Sequence, residues 1–460
     1  MHNEGSMISS MLPRRQFLGL AAGATSLLGQ VTGERPAHSR DVEVLNPRSR
    51  VPLSFIIDDS TCLVNLNRFS IPQFRAAMAD GSYGQDWRKM PVEIPDDFVR
   101  RFGEWCGEQG VKGKYSIVPF PACIGRLDLE LPGWTPEEVQ SSIRLVRTLM
   151  MPNWDIHPEM ITHTRVLDLR TGQPYPQRGL DYMENWRWTV GRSVDEIAAY
   201  LSYALTILRN VDLPCDGITT PGGFGHGALP ELAQATLQAC RNVFRTELPH
   251  YFREAISEGP ASVAPRVEYA AGIRGPDPRC VVSIVACTGD WTGNWDATRQ
   301  PQPDRFITPD LKAGRLVEVI ARGEPACLLA HWTGIHYNGL ELGFRTFQEV
   351  VRRLNARYDN LLWMKLTELA RYWAAKELTS IGVQGARVVF DAPFACPAFT
   401  VRVSSSGSPP VVHERNGKGT PLREVRGLRE LESGSWVQQG NSMVIAFDLP
   451  KGNSAIAFSA

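Results

Sequence analysis

Two short segments of this chain concentrate side chains capable of acid–base and metal chemistry. The first is Asp58-Asp59, directly after the apolar run Ser54-Phe55-Ile56-Ile57. Adjacent carboxylates at a strand end repel each other when both are charged and unpaired. A cation relieves this by taking one as a ligand and leaving the other as a base. Followed by Ser60, the same pair is also good turn and helix-cap chemistry. The second segment reads Asn153-Trp154-Asp155-Ile156-His157-Pro158-Glu159-Met160-Ile161-Thr162-His163-Thr164. Two imidazoles and the Glu159 carboxylate fall within seven residues. Glu159 and His163 are four apart, so one helical turn would place both on one face. His157 sits at the strand tip and could also turn inward. Neutral imidazole with carboxylate suits zinc and other borderline divalent metals. The cluster, taken with Asp58-Asp59, predicts a divalent metal of the zinc type.

A third group ends the run Cys327-Leu328-Leu329-Ala330 with His331, and Asp290, just before Trp291, is a candidate to orient it. Trp154, Trp291, Trp295, Trp332 and Tyr337 lie near these segments. Flat aromatic faces pack well on sugar rings, although each one singly also suits a core. Asn338-Gly339 reads as a tight turn beside His331.

The elements that must position these groups alternate. Leu53–Ile57, Lys114–Val118, Trp154–Ile156, Gly217–Thr219, Val281–Cys287 and Cys327–Ala330 read as strands, with Val243–Thr246 and Leu362–Lys365 as weaker ones. Helical patterns cover Pro95–Gln109, Pro136–Met150, Val194–Leu208, Leu229–Arg241 and Phe344–Arg357. In Val194–Leu208 the residues Ile197, Leu201, Ala204 and Leu208 fall at helical spacing, behind Ser193 as N-cap. Strands alternating with helices imply βα units and a parallel sheet. Seven or eight such units predict an α/β fold, a distorted (β/α)7–8 barrel, whose functional residues gather at the C-terminal strand ends. After about Trp373 the pattern becomes short runs such as Phe399–Val403, Val411–His413, Ser442–Phe447 and Ala455–Phe458, a small all-β sandwich-like module.

Composition narrows the classes. The 460 residues are 43% hydrophobic and 21% charged, which excludes a disordered or fibrous chain. Forty-nine basic residues balance 49 acidic ones, which argues against a broad footprint for nucleic acid. Nine Cys lie scattered, with no CxxC pair, so no disulfide framework is expected. Beyond the N-terminus no apolar run reaches about 18 residues, so no membrane span is expected there. At the N-terminus, Pro13-Arg14-Arg15-Gln16-Phe17-Leu18-Gly19 leads into the apolar run 20–28 and resembles a twin-arginine signal. The resemblance implies export of the folded protein, periplasmic or extracellular. The expected organisation is a signal segment at 1–40, a barrel at 41–378 and the β module at 379–460.

The ordered motifs resemble the polysaccharide deacetylase superfamily over roughly residues 50–375. That family has an Asp-Asp pair after its first strand, matched by Asp58 and Asp59, and the resemblance implies that Asp58 is the general base and Asp59 a metal ligand. Its His-Ser/Thr-x-x-His motif follows a strand ending in Glu-Ile, replaced here by Asp155-Ile156. His163 falls on the second His of that motif and Glu159 on the first, which is a departure; the resemblance implies one divalent metal held by Asp59 and His163 with either Glu159 or, from a shifted loop, His157. The Arg-x-Pro-Gly-type pocket loop is matched by Thr219-Thr220-Pro221-Gly222-Gly223, without the Arg. Asp290-Trp291 matches its Asp-Trp motif, and Leu328-Leu329-Ala330-His331 matches its Leu-x-x-His motif, which implies that His331 is the general acid. Pro221, Gly222, Trp291 and Trp332 would then line the pocket for a carbohydrate. The implied activity is metal-dependent removal of acetyl groups from a carbohydrate. A non-catalytic carbohydrate-binding protein, or another carbohydrate or amide hydrolase on the same fold, are the alternatives, because a fold alone does not fix chemistry.

Overall fold

The computed structural model describes residues 33–458 apart from 79, 405–407, 415–416 and 418. The Arg14-Arg15 segment and its apolar run therefore lie outside the described residues. Residues 34–39, which the sequence assigns to the signal segment, run against the body of the protein. Ser39 N donates to Ile381 O at 2.8 Å, and an Arg35 guanidinium nitrogen donates to Val267 O at 3.0 Å.

Eight strands frame the α/β part: β1 (Val51–Asp58), β2 (Gly113–Ile117), β3 (Trp154–Pro158), β4 (Gly217–Thr219), β5 (His250–Ala255), β6 (Arg266–Ala271), β7 (Arg279–Ala286) and β8 (Ala326–His331). Strands β8-β1-β2-β3 form one parallel sheet, joined at β1 by the short parallel strand Leu361–Trp363. Strands β4-β5-β7 form a second parallel run, with β6 antiparallel on β7. Single links join the sheets at their two seams: the Glu159–Thr219 bridge and the hydrogen bond from Cys287 N to Cys327 O at 2.7 Å. The expected (β/α)7–8 barrel is thus corrected to two sheets that face each other without a continuous ladder. At one seam β4 has only three residues, and at the other the outer edge of β7 is taken by β6.

The strands read with period two. Phe55 and Ile57, Tyr115 and Ile117, and Trp154 and Ile156 face the helices and form the larger hydrophobic core. The alternate residues Ser54, Asp58, Lys114, Ser116, Asp155 and His157 turn toward the second sheet. The first five-residue strand after β1 begins with Gly113 for a steric reason. A Cβ there would sit 1.9 Å from Phe55 O. Gly113→Ala is therefore expected to force β1 and β2 apart and to cost at least about 1–3 kcal/mol, the usual cost of overpacking. A urea midpoint unchanged from wild type would refute this.

The helices follow their apolar periodicity. Val194–Asn210 is capped by Ser193 in a reciprocal capping box with Glu196, and Pro136–Leu145 by Thr135 with Glu138. The strand expected at Val243–Thr246 is corrected. Val243 and Phe244 complete the helix Leu229–Phe244, which ends at left-handed Arg245, and the strand comes later as β5. Its alternation is obscured because His250 and Arg253 face polar partners rather than apolar core.

The C-terminal region is a separate all-β arrangement of two five-stranded sheets. One of them takes the strand Val42–Val44 onto Cys396–Ser404. Phe390, Phe399, Phe447 and Ile456 share one core cluster with the helix Leu366–Leu378 and with Ile284 of β7. All nine Cys are free. No helix among the described residues is long and apolar enough to cross a membrane.

Candidate active site

The C-terminal ends of β1, β3 and β8 bring five chemical groups together. At the end of β1 the chain turns through Asp59, whose φ of 61° lies in the left-handed region. Such backbone is strained for a residue with a side chain and is held only by its surroundings. Here the holder is Glu159: the Asp59 N–H donates to its Oε2 at 2.7 Å. Beyond β3 the loop passes through left-handed Met160 and His163, at φ of 54° and 60°. That conformation folds His163 back over Glu159. Nε2 of His163 lies 2.8 Å from Asp59 Oδ1 and 3.3 Å from Glu159 Oε1.

Asp59, Glu159 and His163 each offer a ligand atom, and these atoms lie within 4.8 Å of one another. All three residues are buried. His163 Nδ1 is a buried polar atom without a hydrogen-bond partner, and Asp59 Oδ1 meets His163 Nε2. Two carboxylates converging on one buried imidazole fit a divalent cation of the zinc type. Burial by itself would lower the His163 pKa, but Asp59 and Glu159 raise it well above the usual histidine range. Burial would raise the Glu159 carboxyl, yet His163 and Lys114 hold it down at about 2. The field of this pocket thus favours positive charge.

Of the two alternatives for the third ligand, the structure brings Glu159 to Asp59 and His163. It places His157 elsewhere: its Nε2 lies 2.9 Å from His250 Nε2, beside Asp155.

Asp58 and His331 are direct neighbours across the β1–β8 ladder. Nδ1 of His331 lies 2.8 Å from Asp290 Oδ2. Asp290 is itself fixed, accepting from Thr292 N at 3.1 Å and from Thr292 Oγ1 at 2.7 Å. Burial would lower the His331 pKa, but Asp59, Asp290 and Asp58 push it up to about 10. Asp58 is pushed up to about 6, by burial above all, against the pull of Lys114.

Lys114 and Glu184 are buried site residues that the sequence reading did not single out. Lys114 on β2 is fully buried, and its ammonium donates to Asp58 Oδ1, to Ile57 O at 2.9 Å and to Ser116 Oγ at 2.7 Å. The available signal was a lysine inside an apolar strand at the same parity as Asp58. Glu184 accepts from the backbone N–H groups of Thr162 at 3.0 Å and His163 at 2.6 Å, and from Tyr200 Oη at 2.5 Å. It holds the loop that presents His163. Burial lifts its carboxyl to about 7 against these donors.

The loop Thr220-Pro221-Gly222-Gly223 packs on the segment that carries Glu184. Gly223 N donates to Asn185 O at 2.6 Å, and Gly222, at φ 52°, leaves room for that oxygen. The expected aromatic wall is corrected. Trp332 is buried among Phe98, Phe102 and Tyr115 on the helix side of the sheet, because it follows His331 into a short helix and points the opposite way. Trp291 is buried against Phe306 with the Arg305 guanidinium over its ring at 4.2 Å. The aromatic group beside the site is Phe74, packed edge-on to His163 at 6.3 Å and surrounded by the half-buried Tyr83, Trp186 and Trp295, the last of which the sequence reading did name.

No family model matches the chain, and no curated protein matches it in sequence. Solved structures similar to it include a probable polysaccharide deacetylase from Pseudomonas aeruginosa PAO1, at 10% identity over 71% of this chain and 91% of that one, with a TM-score of 0.38. Puue allantoinase is similar at 10% identity over 75% and 95%, with a TM-score of 0.36. An alpha-L-fucosidase follows at 12% identity over 91% and 98%, with a TM-score of 0.33. Likeness this distant says nothing about activity, and the functional reading below rests on the residues.

Proposed function

We propose that this protein is an exported, metal-dependent hydrolase that removes acetyl groups from a carbohydrate. The observation that supports it most is the convergence, at one end of a parallel sheet, of the Asp59–Glu159–His163 donor set with Asp58 and the His331–Asp290 pair. A divalent cation held by those three donors would acidify water and polarise a carbonyl oxygen. Asp58 is the general base, taking the proton of the attacking water. Lys114 anchors one of its carboxylate oxygens from below and leaves the other for water. With Nδ1 paired to Asp290, His331 presents Nε2 to the leaving amine or alcohol and protonates it. The pocket loop lacks an Arg, and the cation beside the base is Lys114, from a neighbouring strand. Tyr83, Trp186 and Trp295 offer flat apolar surface on which a sugar ring can stack. The Arg14-Arg15 leader is the basis for export.

The test is acetate release by the full chain, loaded with zinc, from a panel of acetylated glycans. Release is expected, with loss on chelation and recovery on adding zinc back. A metal-replete protein that releases no acetate from a broad panel overturns the reading and favours a carbohydrate-binding role or a different hydrolysis.

A further inference from the structure

His157 has no part in the chemistry above, yet it is among the most buried polar side chains of the protein. It stands on β3 with Asp155, on the face turned to the second sheet, and meets His250 at the start of β5. All three side chains are buried, except that Asp155 is slightly more open, and their ligand atoms lie within 4.8 Å of one another. Nε2 of His157 and Nε2 of His250 are 2.9 Å apart. Only one hydrogen fits between two such nitrogens. The other nitrogen of His250, Nδ1, is buried and turned to the Leu248 backbone.

The backbone leaves room at this point. Residue 217 on β4 is glycine, and a Cβ there would lie 2.8 Å from each of the two Nε2 atoms and 2.5 Å from the carbonyl oxygen of His250. Two imidazole nitrogens thus converge on a spot that any other residue would fill. The outer partners suit ligation as well. Thr219 Oγ1 lies 3.4 Å from Nδ1 of His157, and Asp155 Oδ2 accepts from Thr367 N at 2.6 Å, so ring and carboxylate are both oriented from behind.

We propose that Asp155, His157 and His250 form a second metal site, structural in kind, that takes a divalent ion of the zinc type between the two sheets. Two imidazoles and a carboxylate are a usual donor set for such an ion. The ion would tie β3 of one sheet to β5 of the other, close to the Glu159–Thr219 bridge that links them. Because its ligands are buried, it would be captured as the chain folds.

The test counts zinc per chain by mass spectrometry in wild type, His163→Ala and His250→Gln after gel filtration and brief chelation. Two ions per chain are expected in untreated wild type. His163→Ala, which leaves the buried group untouched, should keep one ion through brief chelation, and His250→Gln should lose that chelation-resistant ion. A zinc-free His163→Ala overturns the proposal, as does a His250→Gln variant with the wild-type count. If His250→Gln does not fold, the His163→Ala count decides alone. A wild-type count that His163→Ala leaves unchanged would instead remove the site assigned to Asp59, Glu159 and His163, so the two assignments fail separately.

Discussion

Asp58→Asn should keep its metal and lose acetate release by about 10²–10⁴-fold, the usual contribution of a positioned general base. The metal should stay because the converging donors are Asp59, Glu159 and His163, none of which is altered. The fold should stay because Asn is isosteric, and its side-chain oxygen can still accept from Lys114. What the amide cannot do is take the proton of water at neutral pH. The measurement is kcat for acetate release together with zinc content for wild type and variant. A variant as active as wild type would keep the enzyme but remove Asp58 from the role of base. A variant that is inactive and also zinc-free would move Asp58 into the metal site.

Lys114→Met should destabilise the protein by about 3–5 kcal/mol, the cost of stripping one partner from a buried ion pair. The substitution fills the same space but leaves the buried Asp58 carboxylate, Ile57 O and Ser116 Oγ without their shared donor. The change should appear as a lower urea midpoint with an unchanged slope. Combining it with Asp58→Asn should cost less than the sum of the two single changes, because they remove the same interaction. A Lys114→Met protein with the wild-type midpoint would show that the pair contributes nothing to stability.

The lysine also illustrates what a linear reading misses. Its chemistry depends on Asp58, 56 residues away, meeting it across a strand pair. Glu184 is similar: it lies in a segment without regular structure and acts only by receiving the N–H groups of a loop some twenty residues earlier. Of the expected aromatic residues, Trp295 lies beside Phe74. Trp291 and Trp332 adjoin catalytic candidates in sequence but pack into the core, on Phe306 and on Phe98 and Phe102. Trp186, from a distant loop, reaches the site instead.

The sequence by itself determined the alternation of strands and helices, the cap at Ser193, the all-β character of the C-terminal region, and the placement of Asp58, Asp59 and His331 at the ends of apolar strands. These are local: hydrophobic period and chain ends carry them. It could not choose between His157 and Glu159, because the two differ by two residues and therefore share a strand face. Only the tertiary structure brings one of them, Glu159, to Asp59 and His163. One pair of residues is about 7 Å along a strand. Glu159 stands at the rim, where left-handed Asp59 and His163 fold over it. His157 lies deeper between the sheets, where Gly217 leaves space for it to meet His250.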